Sequence, residues 1–206
     1  MAEIGPVVVT ERLVLRPFSD VDRAPFFALN THPLVVESLG SSPSRAESDD
    51  MIERFSAEMV GEGWGLWAVG EAGARGGSAG ASDAAGSAFV GMVGLHRVRP
   101  EIPCAPAVEI GWRLHPDFWG QGYATEAASA ALRFGFEEAG LREIVAFTTT
   151  VNARSQAVME HIGMVRDVEG DFDHPSVPEG SPLRRHVLYR ATADSGPVEG
   201  HSPPLP

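Results

Sequence analysis

The sequence has no lysine, a single cysteine and no long apolar run. All 16 basic residues are arginine, which excludes a Walker-type phosphate loop and a lysine Schiff base, because both need a lysine amine. The single cysteine, Cys104, excludes an internal disulfide and a cysteine-rich zinc module. No stretch reaches the roughly 20 apolar residues of a transmembrane helix, and the first residues lack the basic and apolar parts of a signal peptide. We therefore expect a cytoplasmic protein.

The chain has the composition of a folded domain with an excess of acidic residues. Its 206 residues are 43% hydrophobic and 21% charged, which is typical of a globular domain rather than a disordered chain. The formal net charge of −12 disfavours binding to nucleic acid or to an anionic membrane. We expect neither as a partner, and a phosphate ligand would need a local binding arrangement.

The hydrophobic periodicity predicts an α/β domain over residues 1–193. Strands are predicted at 12–16, 64–69, 88–98, 107–114, 143–150, 164–168 and 186–190. Helices are predicted at 21–30, after a cap at Ser44, at 123–138 and at 153–162. Long helices between strands act as crossovers, so the sheet is expected to be mixed. The Gly- and Ala-rich segment 70–87 is predicted to be a flexible hairpin loop, and 194–206 a disordered tail.

The most informative stretch passes from a strand through two glycines into a helix of small residues. Gly120 and Gly122 immediately precede the helix that begins at Tyr123. Backbone N–H groups and the helix dipole favour an anion at such a turn, and glycine lets a phosphate approach the backbone. A purely structural turn is the other interpretation. A nicotinamide-binding fingerprint is disfavoured, because a third glycine and the expected acidic residue are missing.

Several motifs then occur together in one order. They are VEIGW at 108–112, PDFWGQGYATEA at 116–127, NARS at 152–155 with EHIGM at 160–164, and the opening TERLVLRP at 10–17. In this combination the chain resembles the GNAT superfamily of N-acetyltransferases, with the RimJ/RimL-type branch as the nearest match. The resemblance implies a mixed, mostly antiparallel central sheet with a V-shaped splay between two central strands, flanked by about four helices.

The resemblance also implies acetyl-CoA as cosubstrate and no metal. Its pyrophosphate would lie on the backbone of the glycine turn, and its pantetheine arm would pair with the preceding strand and contact Asn152. For Asn152 a helix cap is an equally good interpretation. The residues implied to bind acetyl-CoA are Trp112, Arg113, Leu114, Trp119, Gly120, Gln121, Gly122, Tyr123, Ala124, Thr125, Asn152 and Ser155. A homodimer is an expectation at the level of the family only.

Acetyl transfer from a thioester to an amine needs a base for the ammonium proton and an acid for the departing thiolate. Glu109, on the central strand, is the candidate base, acting through water; a solvent-facing carboxylate is the competing interpretation. Many relatives carry a tyrosine as the acid, but Met159 stands at that position here. Ser155 is the substitute that the RimJ/RimL-type branch implies, and a serine that only serves the first turn of a helix is the alternative.

The remaining polar candidates carry less information. Residues 171–174 (DFDH) have metal-ligand types but no second cluster accompanies them, so we predict no metal site. The stretch 172–186, which precedes the last strand, is predicted to be a substrate-side loop that lines the acceptor pocket; a Pro-rich connection between strands is the other interpretation. His96 and His115 flank the expected cleft, where a lone histidine is more often a hydrogen-bonded structural residue than a base.

Together these observations predict an N-acetyltransferase that moves an acetyl group from acetyl-CoA to a primary amine by direct attack in a ternary complex. The amine would belong to a protein N-terminus or to a small molecule. The main alternative is a non-catalytic acyl-CoA sensor or interaction module on the same fold, which the methionine at the tyrosine position favours. A third interpretation is an α/β protein that binds another phosphate ligand.

Overall fold

The computed structural model describes residues 5–72 and 88–194. Its strands are Val8–Val9 (β1), Leu13–Arg16 (β2), Leu66–Glu71 (β3), Phe89–Arg97 (β4), Val108–Leu114 (β5), Glu143–Thr149 (β6), Val165–Asp173 (β7) and Arg185–Thr192 (β8). Its helices are Arg23–Thr31 (α1), Pro33–Leu39 (α2), Arg45–Glu62 (α3), Tyr123–Glu137 (α4) and Ala153–His161 (α5). Residues 73–87 of the predicted loop and 195–206 of the predicted tail lie outside the described residues.

The strands form one sheet in the order β1-β2-β3-β4-β5-β6-β8-β7. Neighbouring strands are antiparallel except β5 and β6, which are parallel. Helix α4 connects these two strands, because parallel neighbours need a crossover of this kind. The prediction of a mixed, mostly antiparallel sheet is therefore confirmed.

Among the described residues, strands β5 and β6 are paired near the start of β5 and not toward its carboxyl end. Their one register pair within the described residues is Glu109 with Val145, whereas β5 pairs with β4 along its whole length, from Val108 to Leu114. The carboxyl ends of parallel strands lie at the same edge of a sheet. The segments that follow β5 and β6, which contain the glycine turn and Asn152, therefore lie on the two sides of one opening.

Helices cover both faces of the sheet. Side chains alternate along a strand, so Ile110 and Leu114 of β5 join the core beneath α4 and α5, which also contains Ile144 and Ala146. The opposite face contacts α1 and α3 through a second core made of Phe26, Phe55, Leu66 and Met92 with their neighbours. We call these the α4 face and the α1 face. The alternation places Glu109, Gly111 and Arg113 on the α1 face.

Helix α3 has a capping residue at each end, and helix α4 packs on the sheet through small residues. Ser44 caps α3 by accepting a hydrogen bond from the backbone N–H of Glu47 at 3.3 Å, and α3 ends at Gly63, which is left-handed with φ 77°. Helix α4 buries Ala127, Ala128 and Ala131 against the sheet. Small residues at these positions let the helix lie close to the strands that carry the site.

Three parts of the fold differ from the prediction. The structure has five described helices rather than about four, because Pro33–Leu39 forms α2, with Pro33 in its first turn and His32 accepting from the Leu34 N–H at 3.3 Å. The two-residue strand β1 was not predicted. Strand β7 continues to Asp173, through a register irregularity after Asp167. No helix in the described ranges combines the length and apolar character that a membrane crossing requires.

Candidate active site

The backbone N–H groups of residues 120–122, in the glycine turn between β5 and α4, have no backbone partner in the part of the chain that the structure describes. Gly120 and Gly122 are left-handed, with φ 75° and 78°, a conformation that glycine adopts without strain. Gly122 is the N-cap of α4 and offers no side chain, so the first-turn N–H groups, which begin at Tyr123, have no acceptor within the helix. A Cβ atom at Gly120 would meet no atom within 4 Å. Among the described residues the space beside Gly120 is therefore open, whereas a Cβ atom at Gly122 would lie 3.4 Å from Arg12 Nη2.

Arg12, which immediately precedes β2, contacts the same turn. Its Nη1 donates to the backbone oxygen of Gln121 at 2.9 Å, and its Nε donates to Glu126 Oε2 at 2.6 Å. Its guanidinium carbon lies 4.6 Å from the ring centroid of Tyr123. The Arg12 side chain is 43% exposed. It therefore brings a partly solvated cation to the edge of the turn.

Arg154, in the first turn of α5, brings a second cation to the glycine turn. Its guanidinium carbon lies 4.6 Å from the ring centroid of Trp119. The Trp119 indole is itself fixed, because its Nε1 donates to the Leu114 backbone oxygen at 2.8 Å. The sequence predicts a role in acetyl-CoA binding for Trp119 but for neither arginine. The available signals were that Arg12 lies in the opening motif and Arg154 lies between Asn152 and Ser155.

The free edge of β5 borders the opening. Beyond Glu109 the β6-facing edge of β5 has no strand partner among the described residues, so its backbone groups can pair with an extended ligand, as the resemblance implies for Trp112 to Leu114. The Leu114 carbonyl is already the acceptor for Trp119. The Arg113 side chain points to the α1 face and donates to Asn30 Oδ1, and burial lowers the pKa of Arg113 to about 10. Arg113 thus offers its backbone rather than its side chain to the opening.

Asn152 and Ser155 form a closed hydrogen-bond arrangement where α5 begins. Asn152 Oδ1 accepts from the Ser155 backbone N–H at 3.2 Å, which makes Asn152 the helix cap. The Asn152 amide donates to Thr148 Oγ1 and to Ser155 Oγ, each at 3.1 Å. The Ser155 oxygen therefore acts as an acceptor toward Asn152, which leaves its own hydroxyl hydrogen to donate elsewhere. Met159 is 2% exposed and has no proton to donate.

Glu109 lies where β5 and β6 meet. Its side chain is 13% exposed and faces the α1 face, so it is not a solvent-facing carboxylate. Burial raises the pKa of Glu109 to about 8, an effect that the positive charge of Arg99 partly opposes. A carboxyl group with such a pKa exchanges its proton near neutral pH, and its ionised form is the one that can accept a proton from an amine. Its polar neighbour is His96, whose Nε2 lies 3.3 Å from Glu109 Oε2.

A stretch of sheet without side chains lies beside Glu109 on the α1 face. Gly111 is the cross-strand partner of Gly94, between the pair formed by His96 and Glu109 and the pair formed by Met92 and Arg113. A Cβ atom at Gly111 would lie 3.7 Å from His96 Nε2. We call this surface at Gly94 and Gly111 the glycine floor. It leaves room for a group that approaches the opening from the α1 face.

Residues 171–173 belong to β7, so the predicted substrate-side loop is limited to residues 174–184 between β7 and β8. Residues 171–174 make structural contacts. Asp171 pairs with Arg166 and accepts from the Leu188 backbone N–H at 3.1 Å, and the ring of His174 lies 5.0 Å from that of His186. Within residues 5–72 and 88–194, no group of three or more His, Cys, Asp or Glu side chains is arranged to hold a metal ion.

Comparisons with known proteins point to one family. A sequence profile described as the acetyltransferase (GNAT) domain matches residues 12–165. The FsC-acetyl coenzyme A-N(2)-transacetylase of Aspergillus fumigatus is 41% identical over 86 residues, which are 42% of this chain and 36% of that protein. An uncharacterised N-acetyltransferase of Bacillus subtilis is 26% identical over 187 residues, covering 88% of this chain and 94% of that protein. The crystal structure of a GNAT-family acetyltransferase from Bacillus anthracis superimposes with a TM-score of 0.71 at 25% identity, covering 92% and 99% of the two chains. This likeness confirms the fold class that the resemblance implied.

Proposed function

Because this chain belongs to the acetyltransferase (GNAT) family, we propose that it transfers the acetyl group of acetyl-CoA to a primary amine. One observation carries the proposal. Strands β5 and β6 pair only at Glu109 and Val145 among the described residues, so an anion-binding turn and the Asn152–Ser155 turn lie on the two sides of one opening. A nucleotide with a long extended arm suits this arrangement, because the turn binds phosphate and the β5 edge binds an extended chain.

The cosubstrate would be held mainly by the backbone. The N–H groups of the glycine turn would donate hydrogen bonds to the pyrophosphate oxygens. The guanidinium groups of Arg12 and Arg154 would add positive charge in a chain that has no lysine. When bound, acetyl-CoA supplies an acetyl group activated as a thioester.

The two proposed catalytic side chains lie on opposite faces of the sheet. Glu109 points to the α1 face, where it would take the ammonium proton of the acceptor, directly or through water. Ser155 lies at the start of α5, which packs on the α4 face through Met159, and its free hydroxyl hydrogen would go to the departing thiolate. The amine would therefore enter from the α1 face, over Gly111, and the thiol would leave on the other side.

We place the chain in the RimJ/RimL-type branch, on the basis of the motif that contains Trp119 and of Ser155 at the third position after Asn152. The acceptor is then the amine of a protein N-terminus or of a small molecule. The net charge of −12 favours a cationic acceptor in either class, since negative potential attracts cations. A homodimer and a cytoplasmic location stay predictions from the sequence, and light scattering on the purified chain tests the first.

A non-catalytic acyl-CoA sensor is the second candidate. The observation that favours it is Met159, which is buried in the core at the position where many relatives carry the tyrosine acid. Both functions require binding of acetyl-CoA, so binding alone does not separate them. Release of free CoA in the presence of an amine separates them.

The first experiment is the shift of the thermal unfolding midpoint with acetyl-CoA, with ADP as the control ligand. Ligand at about 100 times its Kd stabilises the folded state by about 2.7 kcal/mol, which for a domain of this size is several degrees. We expect a shift with acetyl-CoA that ADP does not reproduce. Equal shifts with both ligands would support a general phosphate site, and no shift at saturating acetyl-CoA would overturn the proposal. Release of CoA with spermidine, an N-terminal tetrapeptide amide and free amino acids then tests turnover.

A further inference from the structure

His96 and Glu109 lie directly opposite each other on β4 and β5. They are register partners, and His96 Nε2 lies 3.3 Å from Glu109 Oε2. The other ring nitrogen, His96 Nδ1, lies 3.2 Å from the backbone oxygen of Arg97. Their side chains are partly enclosed, with exposed fractions of 29% for His96 and 13% for Glu109.

The Arg97 carbonyl determines which nitrogen of His96 carries hydrogen. A carbonyl oxygen only accepts hydrogen bonds, so Nδ1 must be the donor in that contact. A neutral imidazole has one N–H, and Nε2 then presents a lone pair toward Glu109 Oε2. A hydrogen bond between the two side chains therefore requires one further proton, on Oε2 or on Nε2. Without that proton, a lone pair faces a carboxylate oxygen at 3.3 Å.

We propose that His96 and Glu109 work as one proton-holding pair, in which His96, oriented by the Arg97 carbonyl, is the positioning residue that fixes Oε2 and shares the proton taken from the acceptor amine. This inference rests on the proposed function. The ammonium form of the acceptor gives one proton to the ionised pair and becomes a neutral amine. The amine nitrogen forms the bond to the acetyl carbon as the carbon–sulfur bond breaks. Ser155 gives its hydroxyl proton to the departing thiolate, and the second amine proton restores the Ser155 hydroxyl. The pair then releases its proton to water.

The groups around the pair favour a state in which His96 and Glu109 together hold one additional proton and not two. Glycines 94 and 111 bring no side chain, and β6 contributes the apolar Val145 beside Glu109. The titratable groups that act on the pair come from the segment between β4 and β5: the Arg99 guanidinium, which disfavours a proton on either partner, and the neutral thiol of Cys104. Burial lowers the pKa of His96 and raises that of Glu109, so a second proton on the imidazole is disfavoured when the carboxyl holds one.

Nitrogen-15 NMR of histidine-labelled full-length protein tests the pair without any substrate. The chain has 7 histidines, and the His96 signals are assigned by their loss in His96→Asn. We expect Nδ1 to carry hydrogen throughout, and Nε2 to report a titration step above pH 7 that disappears in Glu109→Gln. An Nε2–H tautomer, or the same Nε2 titration in Glu109→Gln as in wild type, would overturn the proposal.

The rate of CoA release provides the second measurement. Two variants of His96 distinguish the role of Nδ1 from that of Nε2. His96→Asn keeps a donor near Nδ1 but does not reach Glu109, whereas His96→Gln places a polar atom near the position of Nε2. With the amine of the panel that turns over, we expect His96→Asn to lower kcat by about tenfold and to shift the pH profile, and His96→Gln to recover part of both. His32→Asn, a half-buried histidine whose capping role asparagine preserves, should match wild type.

The two proposals fail in different ways. Wild-type protein that binds acetyl-CoA and turns over an amine, with a His96→Asn pH profile that overlays the wild-type profile, would overturn the role of His96 alone. Wild-type protein that neither binds acetyl-CoA nor releases CoA would overturn the proposed function, and the NMR titration would still decide whether the pair exists.

Discussion

Arg154 lies over the indole ring of Trp119, with its guanidinium carbon 4.6 Å from the ring centroid. The contact joins the first turn of α5 to the glycine turn before α4, so it bridges the two sides of the opening between β5 and β6. It also brings a guanidinium to an anion-binding turn in a chain of net charge −12. Trp119, which the resemblance implies to bind acetyl-CoA, therefore has a cation beside it.

Replacing Arg154 with alanine is expected to weaken acetyl-CoA binding about tenfold, because a charge-assisted hydrogen bond contributes about 1.5–3 kcal/mol. Calorimetric titration with acetyl-CoA measures the change. Arg12→Ala should have a similar effect, and also release the Gln121 carbonyl and Glu126. Arg45→Ala is the matched control, because Arg45 lies over Phe27 at 5.4 Å on another part of the chain. Equal affinities for Arg154→Ala and wild type would remove Arg154 from the phosphate site.

Replacing Ser155 with alanine is expected to lower kcat by at least about tenfold while the Kd for acetyl-CoA changes little, because a proton donor to the leaving thiolate acts in the transition state. The Asn152 cap uses the backbone N–H of residue 155, so the variant should fold. Steady-state release of CoA gives kcat, and titration gives Kd. Ser129→Ala, an exposed serine of α4, serves as the control. Wild-type kcat in Ser155→Ala would assign the acid role elsewhere or to water.

Filling the glycine floor at Gly111 is expected to obstruct the acceptor and leave the cosubstrate unaffected. A Cβ atom there lies 3.7 Å from His96 Nε2, an ordinary contact, so Gly111→Ala should lose little activity. Gly111→Val adds methyl groups above the glycine floor, and we expect kcat/KM for the amine to fall about tenfold or more, with the thermal shift by acetyl-CoA retained. A smaller thermal shift in Gly111→Val would instead place acetyl-CoA over the glycine floor.

Local patterns predicted the elements that carry the site. Strand 107–114 and helix 123–138 were predicted nearly at the bounds of β5 and α4, because the alternation and the run of small residues are strong over those segments. Helix α2 was missed because it is short and contains two adjacent valines, which disfavour helix locally. The continuation of β7 was missed because its pairing with β8 crosses an irregular register, which no local period reveals.

The site was predictable where its residues are neighbours in sequence and not where register or packing joins them. Asn152 and Ser155 lie within one turn, so the cap and its partner follow from spacing. The contact between His96 and Glu109 depends on the register of β4 against β5, which is fixed only when the sheet forms. His96 was therefore interpreted as a structural histidine from the sequence.

Glu109 is expected to make the folded state less stable as pH rises. The pKa of Glu109 is about 8 in the folded state against an ordinary value of 4.5, so between these pH values the folded state holds a proton that the unfolded state has lost, and stability falls with increasing pH. His96, whose pKa is lowered by burial, acts in the opposite direction, but only up to its ordinary value near 6.5. Above pH 6.5 the fall of the free energy of unfolding with pH is therefore due to Glu109.

We expect the free energy of unfolding of Glu109→Gln, relative to that of wild type, to increase by about 1–2 kcal/mol between pH 6.5 and 8, at about 1.4 kcal/mol per pH unit at most. Urea unfolding at both pH values measures it, with the exposed Glu58→Gln as the control. A gain no larger than that of the control would mean that the Glu109 carboxyl is ionised in the folded protein at neutral pH.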